Sequence, residues 1–336
     1  MKAFANTSPR TLGEAVARAR QAREAGQSVS FAAGGTDLLQ LVKDRVPNRP
    51  GAGTPDVLVN LKSIPGLASI EARGDEGLVI GGLVTLEALG RHQLILGLFS
   101  ALAEAARSVA TPQIRNVGTV AGNVVQRPWC WYYRNGFPCY KAGGDRCFSA
   151  GGENQLHAIF GGGPSYIVHP SDLAPALVAF DARFRIVGPD GERTLPAAEF
   201  FVLPREDAEH ENVLADDEVL AFIELSIPQR SPYSRYLKIM DRETWTHALA
   251  SAAVVLEMNG DICDRASIVL GGVAPVPWRV PEAERLLAGQ RVTPELARRV
   301  AETAVQGARP LSKNAYKVPL TQRVVERAVR SLGGLG

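Results

Sequence analysis

The pattern of apolar and polar residues near the start of the chain predicts a strand, a helix and a second strand. Thr11 and Glu14 have the spacing of a capping box, in which two side chains satisfy free backbone amides at a helix start. Apolar residues then recur at helical spacing until Gly26 ends the helix: Leu12, Ala15, Val16, Ala19 and Ala22. Residues 29–32 alternate like a strand, and a helix is predicted over 38–43 after a glycine turn.

Short β-type runs dominate the prediction for the next part of the chain. The predicted strands are residues 57–61, 67–72, 78–80, 177–187 and 219–227. A helix is predicted over 100–109, and the long region 111–166 is predicted to be irregular.

Residues 228–234 contain two prolines and are the candidate boundary between two domains, 1–228 and 229–336. In the second domain, Asn259-Gly260 predicts a tight hairpin turn, because both residues accept positive φ. This turn joins predicted strands at 250–258 and 262–273, and helices are predicted at about 282–287, 293–305 and 320–332.

Charge and hydropathy exclude some classes of function. The 37 Lys and Arg residues nearly balance the 35 Asp and Glu residues, so the net charge of +2 does not favour nucleic acid as a partner. No segment approaches the about 18–20 apolar residues that span a bilayer, and the first residues lack the apolar run of a secretory signal. We therefore expect a cytoplasmic protein, unless a partner with a signal carries it to the periplasm.

Two turns of small residues are candidates for binding phosphate. In 32–38, glycines leave backbone N–H groups open at a helix start, although a plain strand-to-helix turn is an equal alternative. In 114–123, glycines flank Thr119, so the two turns together can hold a diphosphate from both sides. The first turn has the spacing of neither G-x-G-x-x-G nor a P-loop. The Asp172 carboxylate can accept hydrogen bonds from a sugar or ring N–H, or can cap the next helix.

Three of the four cysteines lie within 18 residues: Cys130, Cys139 and Cys147. Their spacing, C-x8-C-x7-C, matches neither a zinc finger nor a bacterial ferredoxin. A close cysteine group in a reducing compartment still favours metal or cluster binding over disulfides, and the surrounding aromatic residues can shield such a site. A loop with buried free thiols is the alternative. Cys263 is interpreted as a buried apolar residue.

In combination, these segments resemble the FAD-binding medium subunit of the molybdenum hydroxylases, the family of xanthine dehydrogenase, aldehyde oxidoreductases and carbon monoxide dehydrogenase. The resemblance covers nearly the whole chain and is carried by residues 33–38, 114–123, 171–173 and 217–220. It implies an α+β fold, in which a two-lobed PCMH-type FAD-binding domain precedes a CO dehydrogenase flavoprotein C-terminal-like α+β domain. The implied parts are lobes at about 1–55 and 56–228, an iron–sulfur loop at about 126–166 and the second domain at 229–336.

The resemblance also implies which residues bind FAD. By this resemblance, the two glycine turns bind the diphosphate of FAD. Asp172, Leu220 and Lys238 contact its adenosine and flavin portions. For Lys238, an ordinary solvated lysine is the alternative. The implied cofactor-binding residues are Ala32, Ala33, Gly34, Gly35, Thr36, Asp37, Leu38, Gly118, Thr119, Gly122, Asn123, Asp172, Leu220 and Lys238.

One branch of the family, similar to the periplasmic aldehyde oxidoreductase type, holds a [4Fe–4S] cluster in a loop like this one. The resemblance therefore implies that Cys130, Cys139 and Cys147 are cluster ligands. A fourth cysteine is expected where this chain has Ser165. Serine oxygen is a poorer match than thiolate for a soft cluster, so three alternatives remain open. Ser165 is the fourth ligand, His157 or water completes the site, or the cluster is a labile or three-iron form.

The implied function is that of a flavin-bearing electron-transfer subunit in a heterotrimeric molybdenum hydroxylase, either aldehyde oxidoreductase-like or xanthine dehydrogenase-like. A large partner would hold the molybdenum cofactor, and a small partner with [2Fe–2S] clusters would pass electrons to FAD and on to an external acceptor. No catalytic acid or base is assigned, since the cofactor carries the chemistry. The alternatives are a stand-alone vanillyl-alcohol-type flavin oxidase and an assembly module with structural zinc.

Overall fold

Helices and strands are mixed along the whole chain, as the predicted α+β class requires. The computed structural model describes residues 3–47, 54–74, 77–228, 233–243 and 246–334. The strands are β1 (Ala5–Thr7), β2 (Val29–Ala32), β3 (Val57–Asn60), β4 (Ile70–Ala72), β5 (Leu78–Gly81), β6 (Arg183–Gly188), β7 (Gly191–Pro196), β8 (Val219–Leu225), β9 (Tyr233–Ile239), β10 (Ala250–Asn259), β11 (Ile262–Gly271), β12 (Trp278–Arg279) and β13 (Gln290–Arg291). The helices are α1 (Leu12–Glu24), α2 (Leu38–Asp44), α3 (Leu86–Arg91), α4 (Gln93–Leu98), α5 (Ser100–Arg107), α6 (Pro112–Arg115), α7 (Val120–Val124), α8 (Trp131–Arg134), α9 (Leu173–Ala179), α10 (Pro281–Leu287), α11 (Pro294–Ala304) and α12 (Lys317–Leu332).

The strands form three sheets. The first is parallel, with the order β1-β3-β2. The second is antiparallel, with the order β4-β5-β8-β6-β7. The third is also antiparallel, with the order β12-β11-β10-β9, and β13 pairs with β11. The predicted hairpin in the third sheet is confirmed, and Gly260 in its turn has a φ of +60°.

The third sheet is buried on both faces. Ala253 and Val255 of β10 face a core that also contains α5, α9 and the second sheet. Ala252 and Val254 face the opposite way, into the core formed with α11 and α12. Successive side chains of a strand point to opposite faces, so this uninterrupted apolar run packs on both sides. The first of the two cores joins the second and third sheets.

One predicted strand is wrong. Residues 177–187 begin inside the helix α9, and the strand β6 starts only at Arg183. All seven residues of α9 are buried. A helix that is apolar on every side has no helical period in its sequence, so its pattern resembles that of a buried strand. Of the predicted domain boundary at 228–234, residues 229–232 lie outside the described residues.

Along the described residues, no helix has both the length and the apolar character that crossing a bilayer requires.

Candidate cofactor site and cysteine loop

A cleft of about 370 Å³ lies where the turn after β2, the turn before α7 and strand β8 meet. Twelve of the predicted cofactor-binding residues line it: Ala33, Gly34, Gly35, Thr36, Asp37, Leu38, Gly118, Thr119, Gly122, Asn123, Asp172 and Leu220. Ala32, the last residue of β2, pairs with Asn60 and does not line the cleft. Lys238 also lies outside the wall of the cleft and reaches it through Asp172.

The first glycine turn offers a row of free hydrogen-bond donors. The backbone N–H groups of residues 35–38 donate to no group in the part of the chain that the structure describes. Gly35 has a φ of +75°, a conformation that glycine adopts without strain. Successive unpaired amides in a turn form a binding site for anionic oxygens. The chemistry of this donor set therefore fits the diphosphate of a dinucleotide.

The second glycine turn is internally bonded instead. The N–H groups of Gly118 and Gly122 donate to the carbonyl oxygen of Ile114 at 2.6 Å and to Thr119 Oγ1 at 3.2 Å. The amides of Val120, Ala121 and Asn123 also have acceptors within the protein. Free donors therefore belong mainly to the first turn, which differs from the symmetrical arrangement expected from the sequence. The second turn packs its backbone at Val117 against Gly34 of the first turn.

The carboxylate of Asp37 is held by the cysteine loop. Its Oδ2 accepts a hydrogen bond from the backbone N–H of Arg127 at 3.0 Å. Its Oδ1 pairs with Arg134 Nη1 at 2.7 Å. This negative charge is compensated, and the side chain fixes the position of the turn that contains the free amides.

Asp172 occupies the N-cap position of α9, but its side chain accepts no hydrogen bond from the helix amides. The capping hydroxyl is that of Ser171, whose Oγ accepts from the backbone N–H of Ala174 at 3.0 Å. Asp172 Oδ1 instead accepts from the Tyr236 hydroxyl at 2.7 Å, and burial, with this carboxylate adding to it, raises the pKa of Tyr236. The alternative role of Asp172 as a helix cap is therefore wrong.

Lys238 positions Asp172 at the edge of the cleft. Its Nζ donates to Asp172 Oδ2 at 2.6 Å and to the carbonyl oxygen of Ser108 at 3.1 Å. The Lys238 side chain is only 3% exposed, so the alternative of an ordinary solvated lysine is wrong.

A buried ionic cluster beside the cleft was not predicted from the sequence. Glu211 Oε2 pairs with Arg127 Nη1 at 2.6 Å, and Glu211 Oε1 pairs with Lys141 Nζ at 2.9 Å. Burial would raise the pKa of Glu211, but the two cations hold it below its usual value. Burial lowers the pKa of Lys141. These residues are far apart in sequence, and no local pattern signals their pairing.

The three clustered cysteines lie near one another; Cys139 is buried, and Cys130 and Cys147 are half-buried. Burial raises the pKa of Cys130 to about 12, and the charges of Cys139 and Cys147 add to that rise. Cys130 Sγ is 3.3 Å from His157 Nε2, and Cys147 Sγ accepts from the backbone N–H of Tyr166 at 3.5 Å. Burial also raises the pKa of Cys139, so the Cys130 and Cys139 thiols keep their protons unless a bound cation replaces them.

No single metal ion has a ready set of ligands here. Among residues 3–47, 54–74, 77–228, 233–243 and 246–334, no group of three or more His, Cys, Asp or Glu side chains could hold such an ion. The described residues therefore offer no preformed ligand group either for the structural zinc considered from the sequence or for the predicted iron–sulfur cluster. Ser165, which stands where a fourth cysteine was expected, is 2% exposed. Cys263 is fully buried in β11, as predicted.

Buried His169 should make stability depend on pH. Its Nδ1 accepts from the backbone N–H of Ser171 at 3.3 Å, and burial lowers its pKa from 6.5 to about 4. Between these pH values the unfolded chain binds more protons than the folded chain, so stability falls as the pH falls. Lowering the pH from 7 to 5 should cost about 2 kcal/mol through this residue. The free energy of unfolding, measured in urea, should change less between pH 7 and pH 5 in His169→Gln than in the wild type. An equal change in both proteins would contradict this assignment.

Two families match successive parts of the chain. Residues 2–229 match the FAD binding domain in molybdopterin dehydrogenase. Residues 235–332 match the CO dehydrogenase flavoprotein C-terminal domain, in place of the substrate-binding domain that a vanillyl-alcohol-type oxidase would require.

Known proteins resemble the chain over nearly its whole length. The aldehyde oxidoreductase FAD-binding subunit PaoB of Escherichia coli strain K12 is 32% identical over 329 residues, which are 97% of this chain and 96% of PaoB. The carbon monoxide dehydrogenase medium chain of Hydrogenophaga pseudoflava is 27% identical over 98% of this chain and 96% of that one.

A solved structure has the same fold. Carbon monoxide dehydrogenase from Hydrogenophaga pseudoflava, in a form that lacks the Mo-pyranopterin moiety of the molybdenum cofactor, matches with a TM-score of 0.77 and 26% identity. The match covers 99% of this chain and 98% of that chain. The chain therefore belongs to the FAD-binding medium subunits of the molybdenum hydroxylases, and it is an oxidoreductase flavoprotein subunit.

Proposed function

We propose that this chain transfers electrons within a three-subunit molybdenum hydroxylase that oxidises aldehydes. In this scheme, [2Fe–2S] clusters of a small partner deliver electrons from a large molybdenum-containing partner to the cleft, and an external acceptor receives them. The observation that carries the proposal is the row of free amides at 35–38, within the matched FAD domain. The 32% identity with an aldehyde oxidoreductase subunit favours an aldehyde as substrate of the complex.

The residues of this chain bind and orient the cofactor. The N–H groups of residues 35–38 would donate to the diphosphate oxygens. Asp172, held by Tyr236 and Lys238, would accept a hydrogen bond from a hydroxyl or ring N–H of FAD. Leu220 supplies an apolar part of the cleft wall. When bound, FAD accepts two electrons and can release them singly, while the protein determines its position and electrostatic environment.

We further propose that Cys130, Cys139 and Cys147 hold a [4Fe–4S] cluster. Each thiolate of such a cluster binds a different iron, so the thiols need not converge on one point as they would around a single ion. Aromatic rings enclose this part of the chain: the Tyr132 and Phe137 rings lie 5.2 Å apart, and the Phe137 and Phe148 rings 5.1 Å apart. Such an apolar shell limits the access of solvent.

A buried lysine beside the loop supports a negatively charged occupant. Lys317 is fully buried, and its Nζ donates to the carbonyl oxygens of Leu156 at 2.9 Å and Gly272 at 2.7 Å. Burial alone lowers its pKa to about 7, and no carboxylate among the described residues acts against that shift. Its charge also helps burial to lower the pKa of His157. Thiolates on iron would supply the missing negative charge.

The test is cofactor analysis of the complex purified with its natural partner chains. Denaturation should release FAD, and iron should exceed the amount in the [2Fe–2S] subunit. Cys139→Ser should remove the excess iron, while Cys263→Ser, at a buried cysteine in β11, should retain it. Absence of FAD would overturn the proposed function, and iron unchanged by Cys139→Ser would overturn the cluster alone.

Cell fractionation would test the related proposal that the complex is cytoplasmic or reaches the periplasm with a signal-bearing partner.

A further inference from the structure

The cysteine loop and the cofactor cleft share a wall. Arg127 and Trp129 line the cleft, and Trp129 directly precedes Cys130. In the opposite direction, Asp37 belongs to the amide-bearing turn, but both of its carboxylate oxygens contact residues of the cysteine loop. A displacement of either segment would therefore change the contacts of the other.

Arg134 is the central contact between these segments. Its Nη1 pairs with Asp37, its Nε donates to the Pro128 carbonyl at 2.8 Å, and its Nη2 donates to the Arg127 carbonyl at 2.8 Å. The guanidinium also lies 4.3 Å from the centre of the Trp129 ring. The Arg134 side chain is only 10% exposed, so water cannot readily replace these contacts, and losing one leaves a buried polar group without a partner.

We infer that Arg134 is a positioning residue for the amide-bearing turn. Through its pair with Asp37, it couples FAD binding to the packing of the cysteine loop against that turn. The inference rests on the proposed binding of FAD in the cleft. Without Arg134, the Asp37 carboxylate loses its cationic partner beside the diphosphate site, and only the hydrogen bond from the Arg127 backbone N–H still holds the turn. Coupling between two equilibria is reciprocal, so FAD must stabilise the packed loop as much as the packed loop favours FAD binding.

A double-mutant cycle in the whole complex tests the coupling. Arg134→Gln should weaken FAD binding by about tenfold in the wild-type background, but by less than about threefold in the Asp37→Ala background. Arg134→Lys should recover part of the loss, because it keeps the charge but not the two carbonyl contacts. Arg146→Gln is the matched control in the same loop, since that side chain is 70% exposed, and it should bind FAD like the wild type. Equal effects of Arg134→Gln in both backgrounds would overturn the inference.

A second measurement follows the loop itself. In the complex freed of iron by a chelator, FAD should slow the alkylation of Cys130 by iodoacetamide about tenfold, and this protection should be lost in Arg134→Gln. Equal protection in both proteins would also overturn the inference. If the wild-type complex binds no FAD, the proposed cleft is wrong. If it binds FAD and Arg134→Gln binds it equally well, only the coupling is wrong.

Discussion

Replacing Gly34 with alanine should weaken FAD binding by about 30-fold. A Cβ atom at this position would lie 2.1 Å from the carbonyl oxygen of Val117 and 2.9 Å from its carbonyl carbon. These are backbone atoms of the second turn, so they cannot move aside as the end of a flexible side chain can. The two turns must separate, and the row of free amides must shift with the first of them. Overpacking of this kind costs about 2 kcal/mol. The free protein relieves this strain when the turns separate, and FAD binding must restore it, which corresponds to a factor of about 30 in affinity.

Gly97→Ala is the matched control for this change. Gly97 lies in α4, and a Cβ atom there would meet nothing within 4 Å. Alanine also favours a helix over glycine, so this variant should be as stable as the wild type or more stable. FAD affinity should be measured by titrating the flavin-free complex of each variant. Wild-type affinity in Gly34→Ala would show that the contact between the two turns does not shape the site.

The glycine turns could be predicted from the sequence because their signals are local. Small residues between a strand and a helix require no knowledge of distant segments, and the φ of +75° at Gly35 agrees with that interpretation. The sequence did not indicate that Gly118 and Gly122 use their amides internally, while residues 35–38 leave theirs free. That difference depends on which acceptors the fold brings to each turn.

The remaining parts of the site depend on long-range pairing. Tyr236 was missed because strand β9 was not predicted, and this strand brings both Tyr236 and Lys238 to Asp172. The ion pair of Asp37 and Arg134 joins residues that are far apart in the sequence. A charged residue in a sequence is most often a solvated one, so its burial and its partner become evident only in the fold. For the same reason, the buried Lys317 had no signal in the sequence.

Glu211→Gln should give the largest loss of stability, about 3 kcal/mol or more at pH 7. Glu211 is the shared partner of Arg127 and Lys141, and all three side chains are less than a tenth exposed. Removing one member of a buried ionic cluster leaves uncompensated charge, which costs about 3–5 kcal/mol. Glutamine keeps the shape of the side chain and an acceptor oxygen, so the loss of stability comes from the removed charge rather than from altered packing. The measurement is the free energy of unfolding in urea.

Glu209→Gln makes the same chemical change two residues away at an exposed position, and it should change stability by less than about 0.5 kcal/mol. The loss in Glu211→Gln should also shrink as the pH rises from 7 to 9. Burial already lowers the pKa of Lys141, and without Glu211 that pKa must fall further. The folded variant then loses this proton while the unfolded chain keeps it, so a rising pH favours folding. A loss that stays constant over this range, or an equal loss in Glu209→Gln, would show that the buried charges do not account for the effect.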